Sequence, residues 1–424
     1  MSGYESARRM LSSREAEERL SLLYGTREGE VVRQKARYLS VLEQHEKTFH
    51  ADGGIALISA PGRTEIGGNH TDHNHGLVLA ASVNLDTLAA VSVRSDPLVH
   101  LCSEGYAPIT VDLADPEKHS EEEGTTAALI RGVASRFAAM GLKIGGFDAT
   151  VTSTVASGSG LSSSAAFEVL IAAILDRLHS RANLDFVTQA KIGQYAENVY
   201  FGKPSGLLDQ MASAAGGLVT VDFGSDEPKV KALSYDFAAR GYALAVVATG
   251  GSHADLTDDY AAIPAEMKAV AAHFGKGFLR EVPQDDFMRA IPSLRGELSD
   301  RAILRAMHFY AENERVTRQV EALERDDIGD FFANIIASGR SSFMYLQNVW
   351  AKPQDQSLSL ALALAEELLS GRGAWRIHGG GFAGTTLNFV PEDLLERFVG
   401  TMDGAFGVGS CHVLNIRPVG AYAL

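Results

Sequence analysis

The chain has 424 residues, 46% of them hydrophobic and 21% charged, which suits a globular protein of two domains. Its 53 acidic residues outnumber 38 basic ones, for a formal charge of −15. That balance argues against nonspecific nucleic-acid binding and against a basic membrane-binding patch. It leaves room for a phosphate ligand, because backbone N–H groups bind phosphate without net positive charge. Two cysteines, Cys102 and Cys411, make neither a disulfide framework nor a zinc cluster, and a reducing cytoplasm is expected. The opening MSGYESARRMLSSREAEE is too charged for a signal peptide. No apolar run approaches the ~18 residues of a membrane helix.

In chain order, residues 1–50 read as two amphipathic helices broken around Gly25 and Gly29, a packing arm without chemistry. IALIS, residues 55–59, reads as a strand. It leads into APGRTEIGGNHTDHNHG, whose stretch Gly67 to His73 joins two glycines to a dense set of polar side chains. A loop this polar between apolar runs is costly to bury without a partner. Further strands are expected at 88–95, 108–113 and 147–154, with an acidic loop at 115–123 and a helix over 125–140.

Next comes Ala156-Ser-Gly-Ser-Gly-Leu-Ser-Ser-Ser-Ala165, running into the apolar AAFEVLIAAILDRLH. Strand, Gly/Ser loop and buried helix together aim helix N-terminal N–H groups at an anion. The same pattern also caps a helix, and both readings stand at this point. No Walker-type GxxxxGK[ST] is present. A helix over 187–200 carries Glu197 near its end. Asp209 and Gln210 then sit between apolar residues, where a carboxylate is a structural cap, an ion-pair member or a catalytic base. Glycine, proline and charge around 224–228 mark an expected domain boundary, dividing the chain into 1–225 and 226–424.

The second half opens on a strand at 242–249 and a polar loop ending at Tyr260. Residues 261–274 and 301–370 read as mainly helical, their charges as solvated faces. WRIHGGGFAGTTLNFV reads as strand, glycine turn and strand, and CHVLNIRPV as a last strand. Strands and helices in both halves indicate a two-lobed α/β or α+β protein.

Four separated motifs, in order, resemble the GHMP small-molecule kinase superfamily and within it the galactokinase family. They are Gly62-Arg63-Thr64-Glu65-Ile66-Gly67-Gly68-Asn69-His70-Thr71-Asp72-His73, the loop at 156–165, Ala196-Glu197-Asn198 with Ser205-Gly206-Leu207-Leu208-Asp209-Gln210, and Gly379-Gly380-Gly381-Phe382-Ala383-Gly384. Tyr260, seven residues after His253, matches the tyrosine that lies against the sugar in that family.

The resemblance implies an α+β fold with a ribosomal protein S5 domain 2-like N-terminal domain, a ferredoxin-like C-terminal domain and an active site between them. It implies transfer of the ATP γ-phosphoryl group to the anomeric hydroxyl of galactose with Mg2+, by a monomer. Asp209 would be the base and Arg63 would orient it. Glu65, Asn69, His70, Asp72, Gly206 and Tyr260 would bind the sugar. Gly158, Ser159, Gly160, Leu161, Ser162, Ser163 and Ser164, with Gly380 and Gly381, would flank the nucleotide phosphates. Ser163 or Ser164, with Glu197, would hold Mg2+.

The sequence departs from the family pattern at Asn69, where a glutamate that contacts the C6 hydroxyl is usual, at Glu65 in place of asparagine, at His73 in place of tyrosine and at Ala156 in place of proline. Loss of a carboxylate near C6 brings galacturonate or a 2-acetamido sugar in as alternative substrates. A non-catalytic sugar- and ATP-binding regulator is the alternative from another class; the presence of Ser162–Ala166, Glu197 and Asp209 favours an enzyme.

Overall fold

The computed structural model describes residues 2–155, 160–203, 205–225, 227–251, 256–382 and 384–424. Three helices open the chain: α1 (Gly3–Leu11), α2 (Arg14–Tyr24) and α3 (Glu30–Phe49). The break beyond the expected one falls at Ser12–Ser13, where the Ser13 hydroxyl accepts the N–H of Ala16 at 3.1 Å and starts a new helix.

The first sheet is built from β1 (Ile55–Gly67), β2 (Leu77–Val93), β3 (Leu98–Ser103) and β4 (Ile109–Asp112), followed by helix α4 (Thr126–Ala139) and β5 (Phe147–Ser153). Helices α5 (Ser163–Leu175), α6 (Phe186–Tyr195) and α7 (Leu208–Ala215) and the hairpin β6 (Leu218–Asp222)–β7 (Lys229–Leu233) complete this part of the chain. The second sheet begins with β8 (Tyr242–Ala248). Helices α8 (Thr257–His273), α9 (Gln284–Glu297), α10 (Asp300–Glu324), α11 (Ile328–Ser341) and α12 (Ser357–Leu369) follow. Strands β9 (Ala374–His378) and β10 (Thr385–Pro391), helix α13 (Leu395–Phe406), β11 (Cys411–Leu414) and a short β12 (Tyr422–Ala423) end the fold. Among the described residues no helix is long and apolar enough to cross a membrane.

The first sheet runs β12-β1-β2-β5-β3-β4, with β6 and then β7 added beside the other half of β2. The second runs β11-β8-β10-β9 and is antiparallel throughout. Strand β2 serves two partners in succession, β6 along 77–81 and β5 along 87–93. Strands β6 and β7, on either side of the stretch where the sequence suggests a boundary, pair with each other within the first sheet. The chain end also returns there, pairing Ser59 with Tyr422 and Ile58 with Ala423.

Helices α4 to α7 bury one face of the first sheet, and the N-terminal arm packs Leu20, Leu23 and Leu42 against Leu57, Leu88 and Ala90. A third core joins the lobes: Ile66, Leu79 and Val83 meet Leu244, Leu387 and Phe389 of the second sheet and Val316, Phe331 and Ile335 of α10 and α11. The polar motif that follows Ala60 therefore lies against the seam. It is strand as far as Gly67, with register shifts between Pro61 and Arg63 and between Glu65 and Gly67. Bulges of this kind re-aim side chains beside functional sites.

Candidate functional site

Arg63 on β1 is 7% exposed and reaches two elements. Its Nε donates to Asp209 Oδ1 at 2.7 Å, and its Nη1 donates to the carbonyl of Gly160. Its own N–H donates to the carbonyl of Leu161 at 3.0 Å. The other carboxylate oxygen, Asp209 Oδ2, accepts the hydroxyl of Ser162. Asp209 stands in the first turn of α7, and Ser162 precedes α5 with φ of +57°. A non-glycine residue in that region costs on the order of 1–3 kcal/mol, and here the turn aims the hydroxyl at Asp209. Burial raises the Asp209 pKa, but the charge and hydrogen bond of Arg63, with the Ser162 hydroxyl, outweigh it and hold the carboxyl below its ordinary value.

Glu197 lies beside this pair with its side chain 3% exposed. Its Oε1 accepts from Ser164 Oγ and Lys203 Nζ, each at 3.0 Å. Its Oε2 accepts from Ser205 Oγ at 2.7 Å and Gln210 Nε2 at 2.7 Å. Gln210 Nε2 also donates to Glu168 Oε2 at 2.9 Å. Glu168 is fully buried, and burial first, then the nearby Glu197 charge, push its pKa well up. Among the described residues no group of three or more histidines, cysteines and carboxylates could hold a metal by itself. A hydroxyl and a carboxylate at the N-terminus of a helix do fit magnesium, which takes one or two protein oxygens and completes its shell from phosphate and water. Ser163 opens α5 next to them.

The Gly67–His73 segment is gripped by the second lobe. Glu312 on α10 accepts the N–H groups of Gly68 at 3.1 Å and Asn69 at 3.4 Å, and His308 Nε2 meets the Asn69 carbonyl at 2.9 Å. Asn69 is fully buried, and both hydrogens of its amide are used, on Glu65 Oε1 at 2.9 Å and the Gly379 carbonyl at 2.6 Å. Its Oδ1 accepts from Asn348 Nδ2 at 2.8 Å. The structure thus places Asn69 between the two lobes with both hydrogens of its amide engaged within the protein. Glu65 belongs to the same clamp: its Oε1 accepts from Arg376 Nη2 at 2.9 Å.

His70, with φ of +58°, points its Nε2 at the carbonyl of Gly380, 3.0 Å away. Burial pushes its pKa down to about 4, so the ring is neutral near pH 7. Asp72 lies next to Gly206, where any Cβ would collide with Asp72 Oδ2. Tyr260 covers the glycine turn: its hydroxyl donates to the Gly381 carbonyl at 2.8 Å, and a Cβ on Gly380 would come within 2.6 Å of its ring. The turn is thus bound to the sugar-motif segment through its carbonyls. A Cβ on Gly160 would lie 2.6 Å from Thr385 Oγ1, so the end of the Gly/Ser loop also touches the strand after that turn.

Arg63, Asp209, Gly160, Leu161, Ser162, Ser164 and Glu197 come together through these contacts, and Asn69, His70, Gly380 and Gly381 form a second group beside them. Gly158, Ser159, His253 and Ala383 lie outside the described residues. Sequence reasoning missed Glu168, Lys203, His308, Glu312, Asn348, Arg376 and His378, whose Nε2 accepts the N–H of Glu65 at 3.3 Å. It took the charges of 301–370 as solvated, whereas Arg305, His308 and Glu312 are buried because each has partners from another element. A lone carboxylate in AAFEVLIAAIL and two polar residues in the strand before GGG were the available signals.

The galactokinase galactose-binding signature matches residues 43–93, and the N-terminal domain of GHMP kinases matches residues 128–217. A galactokinase of Streptomyces coelicolor is 33% identical over 353 residues, covering 82% of this chain and 88% of that protein. The crystal structure of Lactococcus lactis galactokinase complexed with galactose superposes with a TM-score of 0.79 at 25% identity, covering 91% of this chain and 100% of that one. Methanococcus jannaschii mevalonate kinase, at 13% identity, shares the fold with a TM-score of 0.62 over 86% of this chain and 99% of that one.

Proposed function

The chain belongs to the galactokinase family of the GHMP kinases, and from that premise we propose how its residues carry out ATP-dependent phosphorylation of galactose. The reaction moves the γ-phosphoryl group of ATP to the anomeric hydroxyl, giving galactose 1-phosphate and ADP. The observation that carries the assignment of roles is the Arg63–Asp209 contact of 2.7 Å, set against the Gly/Ser loop through Gly160, Leu161 and Ser162.

Phosphoryl transfer requires mainly positioning and charge stabilisation. Asp209, kept ionised by Arg63, accepts or orients the proton of the sugar O1 hydroxyl. The Gly/Ser stretch from Gly158 to Ser164, which runs into the first turn of α5, would bind the phosphates through N–H groups at that helix terminus. Gly380 and Gly381 flank the cleft from the second lobe. When bound by Ser163 or Ser164 and Glu197, Mg2+ would supply neutralising charge at the phosphate oxygens. His70, Asp72, Gly206 and Tyr260 surround the sugar. Glu65 and Asn69 act on it through the segment they hold. Two free cysteines support a cytoplasmic enzyme, which we take to act as a monomer.

The test is ADP release with galactose, galacturonate, N-acetylgalactosamine and glucose side by side. Turnover on galactose is expected. Turnover on galacturonate with none on galactose would overturn the substrate, and sugar and ATP binding without any turnover would make the protein a regulator.

A further inference from the structure

Glu197 has two oxygens and accepts four hydrogen bonds, from Ser164, Lys203, Ser205 and Gln210. Those donors fill every acceptor position of a carboxylate. A divalent cation that binds Glu197 must therefore displace one of them. The two serine hydroxyls can rotate and present a lone pair instead of a hydrogen. Gln210 is fully buried and is held by Glu168 as well. Lys203 differs from all three. Its ammonium has only hydrogens to offer, it carries the same sign of charge as the incoming ion, and its side chain is 61% exposed, so it is free to leave. It also shares Glu197 Oε1 with Ser164, the oxygen that faces the other expected ligand.

We propose that Lys203 is the resident counter-ion of the metal site, pairing with Glu197 while the site is without metal and giving way when a divalent cation enters. The inference rests on the reading of Glu197 and Ser164 as the metal pair. Glu168, Glu197 and Asp209 lie in one region, with Arg63 bound to Asp209. Without Lys203 no cation among the described residues would touch the Glu197 carboxylate. With Lys203, bare metal competes against a tethered positive charge, which favours entry of the metal together with nucleotide phosphates that supply further oxygens. Lys203 is thus a positioning residue that sets when the metal enters.

The test is Mn2+ binding to the nucleotide-free protein, followed by electron paramagnetic resonance, for the unmodified chain and for Lys203→Met, Lys203→Gln and Glu197→Gln. Both Lys203 variants are expected to bind Mn2+ about tenfold or more tightly than the unmodified chain, and Glu197→Gln is expected to abolish the site. A variant merely damaged in its folding would bind less metal, not more. Equal or weaker Mn2+ binding by both Lys203 variants, with loss in Glu197→Gln, would overturn the role of Lys203 and leave the metal pair standing. Mn2+ binding that survives Glu197→Gln, or no binding by any of the proteins, would overturn the metal pair and the role of Lys203 together.

Discussion

Asp209 holds its negative charge through two donors from different parts of the chain, Arg63 and Ser162. Asp209→Asn keeps the shape and removes the charge, so kcat should fall by about 10²–10⁴, with the KM for galactose little changed. Because the folded pKa is depressed, any acid limb of the rate that belongs to Asp209 lies below its ordinary value of 3.8. An acid limb at pH 5–6 that vanished in Asp209→Asn would contradict this. Gly206→Ala puts a methyl group onto Asp72 and should raise the KM for galactose by about tenfold, ~1.4 kcal/mol, with the KM for ATP unchanged; initial rates against each substrate check it. The Arg63–Asp209 pair was legible through the motifs that contain it. The contacts of Asn69 were not, because its partners Asn348 and Gly379 lie about 280 and 310 residues away and nothing local announces them.

At the scale of elements, β1 and the glycine turn between β9 and β10 act as one unit. The turn was readable from strand, glycines and strand, and the hairpin forms in that register. The extent of β1 was not readable. Arg63, Thr64 and Glu65 look like loop residues, yet they continue the ladder to β2 because Asp209 and Arg376 satisfy the two charges. Gly381 has φ of +83° and faces the carbonyl of Asn348 with no room for a Cβ. Gly381→Ala should therefore destabilise the protein by at least about 1–2 kcal/mol from the backbone alone, and by more from the collision. Denaturant unfolding measures it, and a loss below about 0.5 kcal/mol would show that the turn is not held as described.

Across the whole molecule, buried histidines oppose protonation in the folded state, His70, His308 and His378 where the lobes meet and His45 within the N-terminal arm, against Tyr4 and Phe49. His45, His70 and His308 are pushed down to about 4, and His378 well below its ordinary value, in each case chiefly by burial. In the unfolded chain such groups take up protons near 6.5. Between about 6.5 and 4 the unfolded state therefore binds more protons, so stability rises with pH in that window and is lost as the pH falls through it. Glu168, whose pKa is raised, works in the opposite sense and reduces the net uptake. Calorimetric unfolding at pH 5.5 in two buffers of different ionisation enthalpy should show net proton uptake. Net release would contradict the burial of these histidines as neutral rings. The two-lobed α+β class was legible from strands and helices alternating in both halves. The return of β12 to the first sheet was not, because pairing between distant strands leaves no local pattern.

The central claim is a phosphoryl transfer to the anomeric oxygen of galactose that depends on Asp209. Phosphorus NMR of the product formed from galactose and MgATP tests it most directly, with Asp209→Asn run alongside. The account predicts phosphate on O1, formed by the unmodified enzyme and slowed by at least about 10² in the variant. Phosphate on another oxygen, or equal rates for the two proteins, would contradict it.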